Sequence, residues 1–283
     1  MRWRVALRGV IAAILAVCLG AFLAACLCAS ARAQLTDDWD DDADDERAGS
    51  DMAPDIPVGP DLLWGGSQPE HFLFYAGYDA WRHGRAAYSG LHWAPNTLNE
   101  DGFVLRLLLS NSIEHYRSGI QSNRTDILRA SLLPGWRWSR NGVEIKLFGG
   151  LDVEGWQATP FDPWGSSLNG THVGARGLVE VWWEPRPGFM VTASATATTI
   201  GNAASGRIAA GFRLFDMAWL GPELLASTDQ FSDQYRAGAH LTGLRMMPWE
   251  GAPLLEWSTA LGYLEDSYSR SGVYARIGLL ARR

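Results

Sequence analysis

Residues 71–109 read HFLFYAGYDAWRHGRAAYSGLHWAPNTLNEDGFVLRLLL. Two runs of alternating large and small or polar residues are joined here by the tight turn Arg82-His83-Gly84-Arg85. A third run places four large apolar residues on one side of a period-2 pattern: Phe103, Leu105, Leu107 and Leu109. Period 2 with turn residues between the runs is typical of antiparallel strands joined as hairpins.

The same pattern continues to the C-terminus. Val179 and Val181, for example, alternate with Glu180, and Ala193 and Ala195 alternate with polar residues. The strands recur at a spacing of about 18 residues, which suits hairpins of long strands. The sequence therefore predicts an all-β fold, an antiparallel up-and-down β-barrel of the outer-membrane type with about 12 strands.

The connections between strands alternate in length. The tight turns are predicted at Arg140–Gly142, Pro185–Gly188 and Leu220–Pro222, and the longer loops at 117–124, 159–171 and 228–234. Outer-membrane barrels combine short turns at one end with longer loops at the other. Most of the 14 tryptophans lie near predicted strand ends, where an aromatic girdle meets the membrane–water interface.

A soluble fold is the alternative to this barrel. A secreted β-sandwich or a soluble closed barrel shows the same alternation with its apolar face turned inward. The C-terminus, Leu279-Leu280-Ala281-Arg282-Arg283, also lacks the terminal aromatic residue that many outer-membrane barrels carry. Residues 71–283 are nonetheless predicted to form the barrel.

The N-terminal residues 1–33 are predicted to be a secretory signal peptide. Three arginines precede an apolar run, and Ala31-Arg32-Ala33 offers a cleavage site before Gln34, which is the pattern of such peptides. A retained transmembrane anchor is one alternative, because about 20 apolar residues can span a bilayer. A lipid anchor is another, because Leu23-Ala24-Ala25-Cys26 matches a lipobox ending at Cys26.

Residues 34–70 are predicted to be an acidic, Pro-rich disordered tail and linker. The run DDWDDDADDE at 37–46 is too charged to pack. Residues 1–33 contain four arginines and no acid, so their removal lowers the formal charge from -7 to -11. Nucleic acid is excluded as a partner on this ground. The mature chain would hold no cysteine, hence neither disulfides nor thiolate metal ligands.

No motif points to catalysis. The chain has no Gly-x-Ser-x-Gly elbow and no HExxH, and its six histidines lack metal-ligand spacing. Only His115, close to Ser110 and Ser112, faintly resembles a nucleophile and base. We therefore expect neither enzyme activity, nor a cofactor, nor a metal. The charged residues of the polar face should pair with one another inside the barrel: Asp79, Glu144, Asp152, Arg176 and Glu180.

The loop from Trp156 to Asn169 is the most distinctive external feature. It holds Trp156, Phe161, Trp164 and Asp162 together with two prolines. Aromatic faces stack on pyranose rings, and carboxylates accept sugar hydroxyls, so these four residues are the candidate glucan-binding set. Alternatively, the aromatics belong to the rim of the barrel.

Three motifs carry a family resemblance. Gly77-x-Asp79-x-Trp81, the run Ala87–Pro95 and the run Asp101–Leu108 resemble the BcsS group of bacterial cellulose-biosynthesis proteins, most clearly over residues 71–110. The resemblance implies the cellulose pathway, and with the predicted barrel and the lack of a catalytic motif it leads us to expect a non-enzymatic outer-membrane accessory of cellulose synthesis or export. Its partners would be outer-membrane lipid, a cellulose chain, and periplasmic or outer-membrane synthesis components. Two alternatives stay open, an outer-membrane enzyme acting on lipid or glycan and a structural surface protein.

Overall fold

The computed structural model describes residues 70–118, 121–159, 169–215, 217–229, 232–246, 254–267 and 271–282. These contain twelve strands and one short 3-10 helix, Ile200–Asn202. The strands are β1 (Phe72–Trp81), β2 (Gly84–Trp93), β3 (Gly102–Ser118), β4 (Gln121–Arg140), β5 (Val143–Thr159), β6 (Gly170–Arg186), β7 (Phe189–Thr198), β8 (Ala204–Leu214), β9 (Ala218–Thr228), β10 (Asp233–Met246), β11 (Leu254–Asp266) and β12 (Ser271–Arg282). The predicted signal peptide and nearly all of the acidic tail lie outside the described residues.

Each strand pairs antiparallel with the next one along the chain, and β1 pairs with β12 to close the sheet. In that closing ladder Gly77 lies opposite Gly278 and Asp79 lies opposite Arg276. The predicted up-and-down barrel of about twelve strands is therefore confirmed. Among the described residues no helix is long and apolar enough to cross a membrane.

The apolar face of the barrel points outward. In β5, Leu147 and Leu151 are 40% and 61% exposed, whereas their sequence neighbours Lys146 and Asp152 are buried. Val173 in β6 is 71% exposed. A soluble barrel or sandwich would bury such residues, so this distribution is that of a barrel surrounded by lipid.

Four strands are longer than the rest. Strands β3 to β6 have 17 to 20 residues, whereas β1, β2 and β7 have 10 each. The pairing of β6 with β7 begins at Arg176, so residues 170–175 extend beyond β7. At about 3.3 Å per residue this part of the wall rises about 20 Å above its neighbour.

The predicted turn at Leu220–Pro222 is wrong, because these residues lie inside β9. The connection between β8 and β9 falls at residues 215–217, where Phe215 has a positive φ of 48°. Gly221 serves a close approach between strands, since a Cβ at this position would lie 1.9 Å from the carbonyl oxygen of Ala210. The pair Gly221-Pro222 thus predicts a turn, but in the structure Gly221 allows β8 and β9 to approach each other closely.

Candidate functional site: the charged interior of the barrel

The five residues predicted to form the polar interior all lie inside the barrel. Their exposed fractions are 0% for Asp79 and Asp152 and 3% for Glu144, Arg176 and Glu180. Period-2 alternation places them there, because the neighbours of each in sequence point to the outer face. Buried charges require partners, and the structure supplies them from several strands.

Arg106 and Glu180 form an ion pair across the interior. The Nη1 atom of Arg106 lies 2.6 Å from Oε1 of Glu180, although β4 and β5 separate their strands. The Nε atom of Arg106 also donates to the hydroxyl of Tyr75 at 2.9 Å, and its guanidinium lies 5.8 Å from the ring centre of Phe148. A side chain fixed at three points fills this side of the barrel.

A second group of charges surrounds Asp152. Its carboxylate accepts from Ser131 Oγ at 2.6 Å, from Arg176 Nε at 3.0 Å and from Thr198 Oγ1 at 3.0 Å. Next to it, Arg129 Nε donates to Glu154 Oε1 at 2.7 Å. These contacts join β4, β5, β6 and β7 through buried side chains.

A third group joins side chains of β8, β9, β10, β12 and β1. Glu223 accepts from Arg207 Nη2 at 2.7 Å, from Arg276 Nη2 at 2.6 Å and from the Tyr274 hydroxyl at 2.9 Å. Arg236 Nη1 donates to Asp79 Oδ2 at 2.5 Å. Like Arg106–Glu180, the Glu223–Arg276 and Asp79–Arg236 pairs each span two intervening strands.

Residues 94–101 cover the end of the barrel at which β1 begins and β12 ends. Leu98 N donates to Glu70 O at 2.8 Å, and the Leu98 side chain packs against the inward apolar residues of β1, β3 and β5. Arg137 Nη1 donates to Glu100 O at 3.1 Å and Nη2 to Glu144 at 2.6 Å. Contacts with Glu70 and with Arg137 thus hold the connection between β2 and β3 across this end of the barrel.

Trp156 is the member of the candidate glucan-binding set that the structure describes. Trp156 lies within β5 and is 6% exposed, and its Nε1 donates to Glu154 Oε2 at 3.0 Å while its ring packs on Ile127. The predicted loop therefore begins too early, because β5 continues to Thr159. Phe161, Asp162 and Trp164 lie outside the described residues.

The one pairing that resembled a nucleophile and base does not form. Ser110 and Ser112 are buried inside the barrel, whereas His115 is exposed on the outer face. An odd separation along a strand places side chains on opposite faces. Within the described residues no group of three or more acidic, His or Cys side chains could hold a metal ion.

Sequence reasoning did not identify Arg106 and Glu223 as centres of these groups. The signal was present for Arg106, because it lies between the two large apolar residues Leu105 and Leu107, whereas Glu223 lies between Pro222 and Leu224. Their partners could not be inferred, since Glu180 and Arg276 meet them only after the barrel closes.

Comparison with known proteins gives one family. The family model described as cellulose biosynthesis protein BcsS matches residues 73–283. No match is found among curated proteins.

Several solved structures are similar to this chain at low identity. The KdgM porin is 10% identical with a TM-score of 0.42, covering 74% of this chain and 98% of its own. LpxR from Salmonella typhimurium is 11% identical with a TM-score of 0.45, over 74% of this chain and 99% of its own. A Pseudomonas aeruginosa FadL homologue is 9% identical with a TM-score of 0.41, covering 75% of this chain and 74% of its own.

Proposed function

This chain belongs to the family of cellulose biosynthesis protein BcsS, and we propose that it is a non-enzymatic outer-membrane accessory of cellulose synthesis or export. Family membership supports the pathway, and the physical properties of the barrel support the manner of action. The observation that carries the proposal is the set of buried ion pairs that bridge the interior, Arg106–Glu180, Glu223–Arg276 and Asp79–Arg236.

The exposed apolar belt supports a position in the outer membrane. Closed barrels and helices are the structures that satisfy every backbone hydrogen bond in a bilayer. Leu128, Leu151 and Val173 are more than 60% exposed on adjacent strands, which in water would be a large aggregation-prone patch. Lipid removes that cost, so the barrel is an anchor in the membrane.

The ion pairs support a scaffold and argue against a conduit. A glucan chain that passed through the barrel would have to break Arg106–Glu180 at 2.6 Å and displace the Leu98 segment. Separating the two buried charges is unfavourable, so these contacts oppose the passage of a polymer through the barrel. Cellulose would therefore leave the cell by another route, next to which this barrel is held.

The terminal segment provides a partner site in this proposal. With a cleaved signal peptide and an even strand count, both chain ends lie in the periplasm, and Cys26 lipidation is the alternative that intact mass would reveal. The acidic run at 37–46 would attract a basic surface of a periplasmic synthesis component through a salt-sensitive interaction.

The connection between β5 and β6 is the proposed place of contact with glucan outside the cell. Phe161, Asp162 and Trp164 stay in this proposal, and Trp156 is left out because its ring is buried against Ile127. Its test is the double substitution Phe161→Ala and Trp164→Ala. Retention on cellulose should fall while the barrel still assembles, and unchanged retention would remove this contact from the proposal.

The function is tested by deleting the gene and measuring secreted glucan with a cellulose-binding dye. Re-expression of the full chain should restore dye binding, and re-expression without residues 37–46 should restore barrel assembly but less dye binding. Unaltered glucan secretion in the deletion strain would contradict a role in cellulose synthesis. Assembly of each variant is checked by heat-modifiable migration on a gel.

A further inference from the structure

A small cavity lies beside Trp182 of β6. Its volume is about 10 Å³, which is the space that one water molecule needs. Trp182 and Met190 are its apolar lining residues, and Trp182 meets Trp219 edge to face at 6.1 Å. Its polar lining residues are Thr192, Arg207, Thr242, Ser258, Thr259 and Arg276.

The polar atoms left without partners at this cavity can all donate hydrogen bonds. Trp182 Nε1, Thr192 Oγ1 and Arg276 Nη1 are buried and have no hydrogen-bond partner among the described residues. Trp182 and Thr192 are 5% and 2% exposed. An indole N–H and a guanidinium N–H donate and cannot accept. An occupant that satisfies them must be an acceptor.

Two guanidinium groups beside the cavity share one carboxylate. Arg207 and Arg276 both pair with Glu223, to which the Tyr274 hydroxyl also donates. Buried charge is costly unless it is paired, and a bound anion would add negative charge beside the two arginines and accept from the donors that have no partner.

We propose that this cavity is a binding site for a single halide-sized anion, such as chloride. Two arginines supply the charge, and Trp182, Thr192 and Arg276 supply the hydrogen bonds. The volume suits a single small, monatomic ion. The ion completes the ion-pair network of β8, β9 and β12 and thereby stabilises the closed barrel.

The experiment uses the purified full chain in detergent and bromide as the probe. Crystals grown with bromide should give an anomalous peak within hydrogen-bond distance of Trp182 Nε1 and Arg276 Nη1. The temperature at which the barrel loses its compact gel migration should be higher in bromide or chloride than in gluconate at equal ionic strength, because a ligand of the folded state alone stabilises that state. Equal ionic strength keeps general screening constant.

Two substitutions remove a donor and preserve shape, Trp182→Phe and Thr192→Val. Each should weaken bromide binding about tenfold, the worth of one hydrogen bond to a charged group. Thr196→Val is the matched control, since Thr196 is buried on the same face of β7 and should leave bromide binding unchanged. Gel migration confirms that each variant has folded.

Three results would overturn the proposal. One is a cavity that shows no anomalous peak, which would assign it to water. Another is an unfolding temperature that is the same in bromide and gluconate. The third is bromide binding that both donor substitutions leave unaltered.

Discussion

At the scale of single residues, position in a strand determines which side chains are buried, and closure of the barrel determines which residues they contact. The alternation around Glu180 predicts that it faces inward, and it is 3% exposed. Its partner Arg106 lies 74 residues away in sequence, and two other strands separate their strands in the sheet. No pattern in the sequence encodes that separation, because it depends on the curvature of the closed sheet.

The Arg106–Glu180 pair gives a residue-scale prediction. Arg106→Met and Glu180→Met alone should each destabilise the barrel by about 3–5 kcal/mol, because each leaves an uncompensated buried charge. The double substitution should cost much less than the two together, since apolar side chains of similar volume replace both charges. Unfolding in urea measures all three.

The matched control is a charge on the surface, and Arg85→Met in β2 serves because Arg85 is exposed. It should change stability by less than about 0.5 kcal/mol. Costs of Arg106→Met and Glu180→Met that simply add in the double variant would show that the two side chains do not interact.

At the scale of elements, the hairpins of residues 71–109 appear in the structure as β1, β2 and the start of β3, because period 2 is a strong local signal. The ends of the strands are harder to predict from the sequence. The loop predicted from Trp156 to Asn169 begins too early, because the pairing of β5 with β4 continues to Thr159. Gly221 was assigned to a turn, although its role is contact with β8.

Gly221 is the subject of the first element-scale prediction. Gly221→Ala should destabilise the barrel by about 1–3 kcal/mol, as overpacking does, because the new Cβ would meet Ala210 O at 1.9 Å. Gly149→Ala is the control, since nothing lies within 4 Å of a Cβ there. Urea unfolding compares the two, and equal stability would place Gly221 in an open turn after all.

The outer face of β5 supplies the second prediction at this scale. Leu147→Arg should cost about 2–4 kcal/mol, because it places a charge on the lipid face near the membrane centre, and Gln157→Arg about 0–1, because Gln157 lies near the interface. Both side chains are on the same face of the same strand. Refolding yield into lipid vesicles measures the difference, and equal yields would contradict a lipid-facing β5.

At the scale of the whole molecule, the barrel is an apolar cylinder whose charges are turned inward and paired. Composition agrees with this arrangement, because 47% of the residues are hydrophobic and they are spread in alternation with polar residues instead of being gathered into spanning helices. The ion pairs inside the barrel engage charged side chains that a channel would leave available to passing solutes. The proposed role as a membrane anchor for cellulose synthesis rests on this architecture together with family membership.

Electrical conductance tests this account most directly. The full chain, folded and inserted into a planar lipid bilayer, should give a current indistinguishable from that of a bilayer without protein, because ion pairs and the Leu98 segment fill the interior. Combined loss of Arg106 and Leu98 side chains, in Arg106→Ala with Leu98→Ala, should raise the conductance. A steady, voltage-independent conductance of the unaltered chain would contradict the scaffold and show that the barrel is a pore.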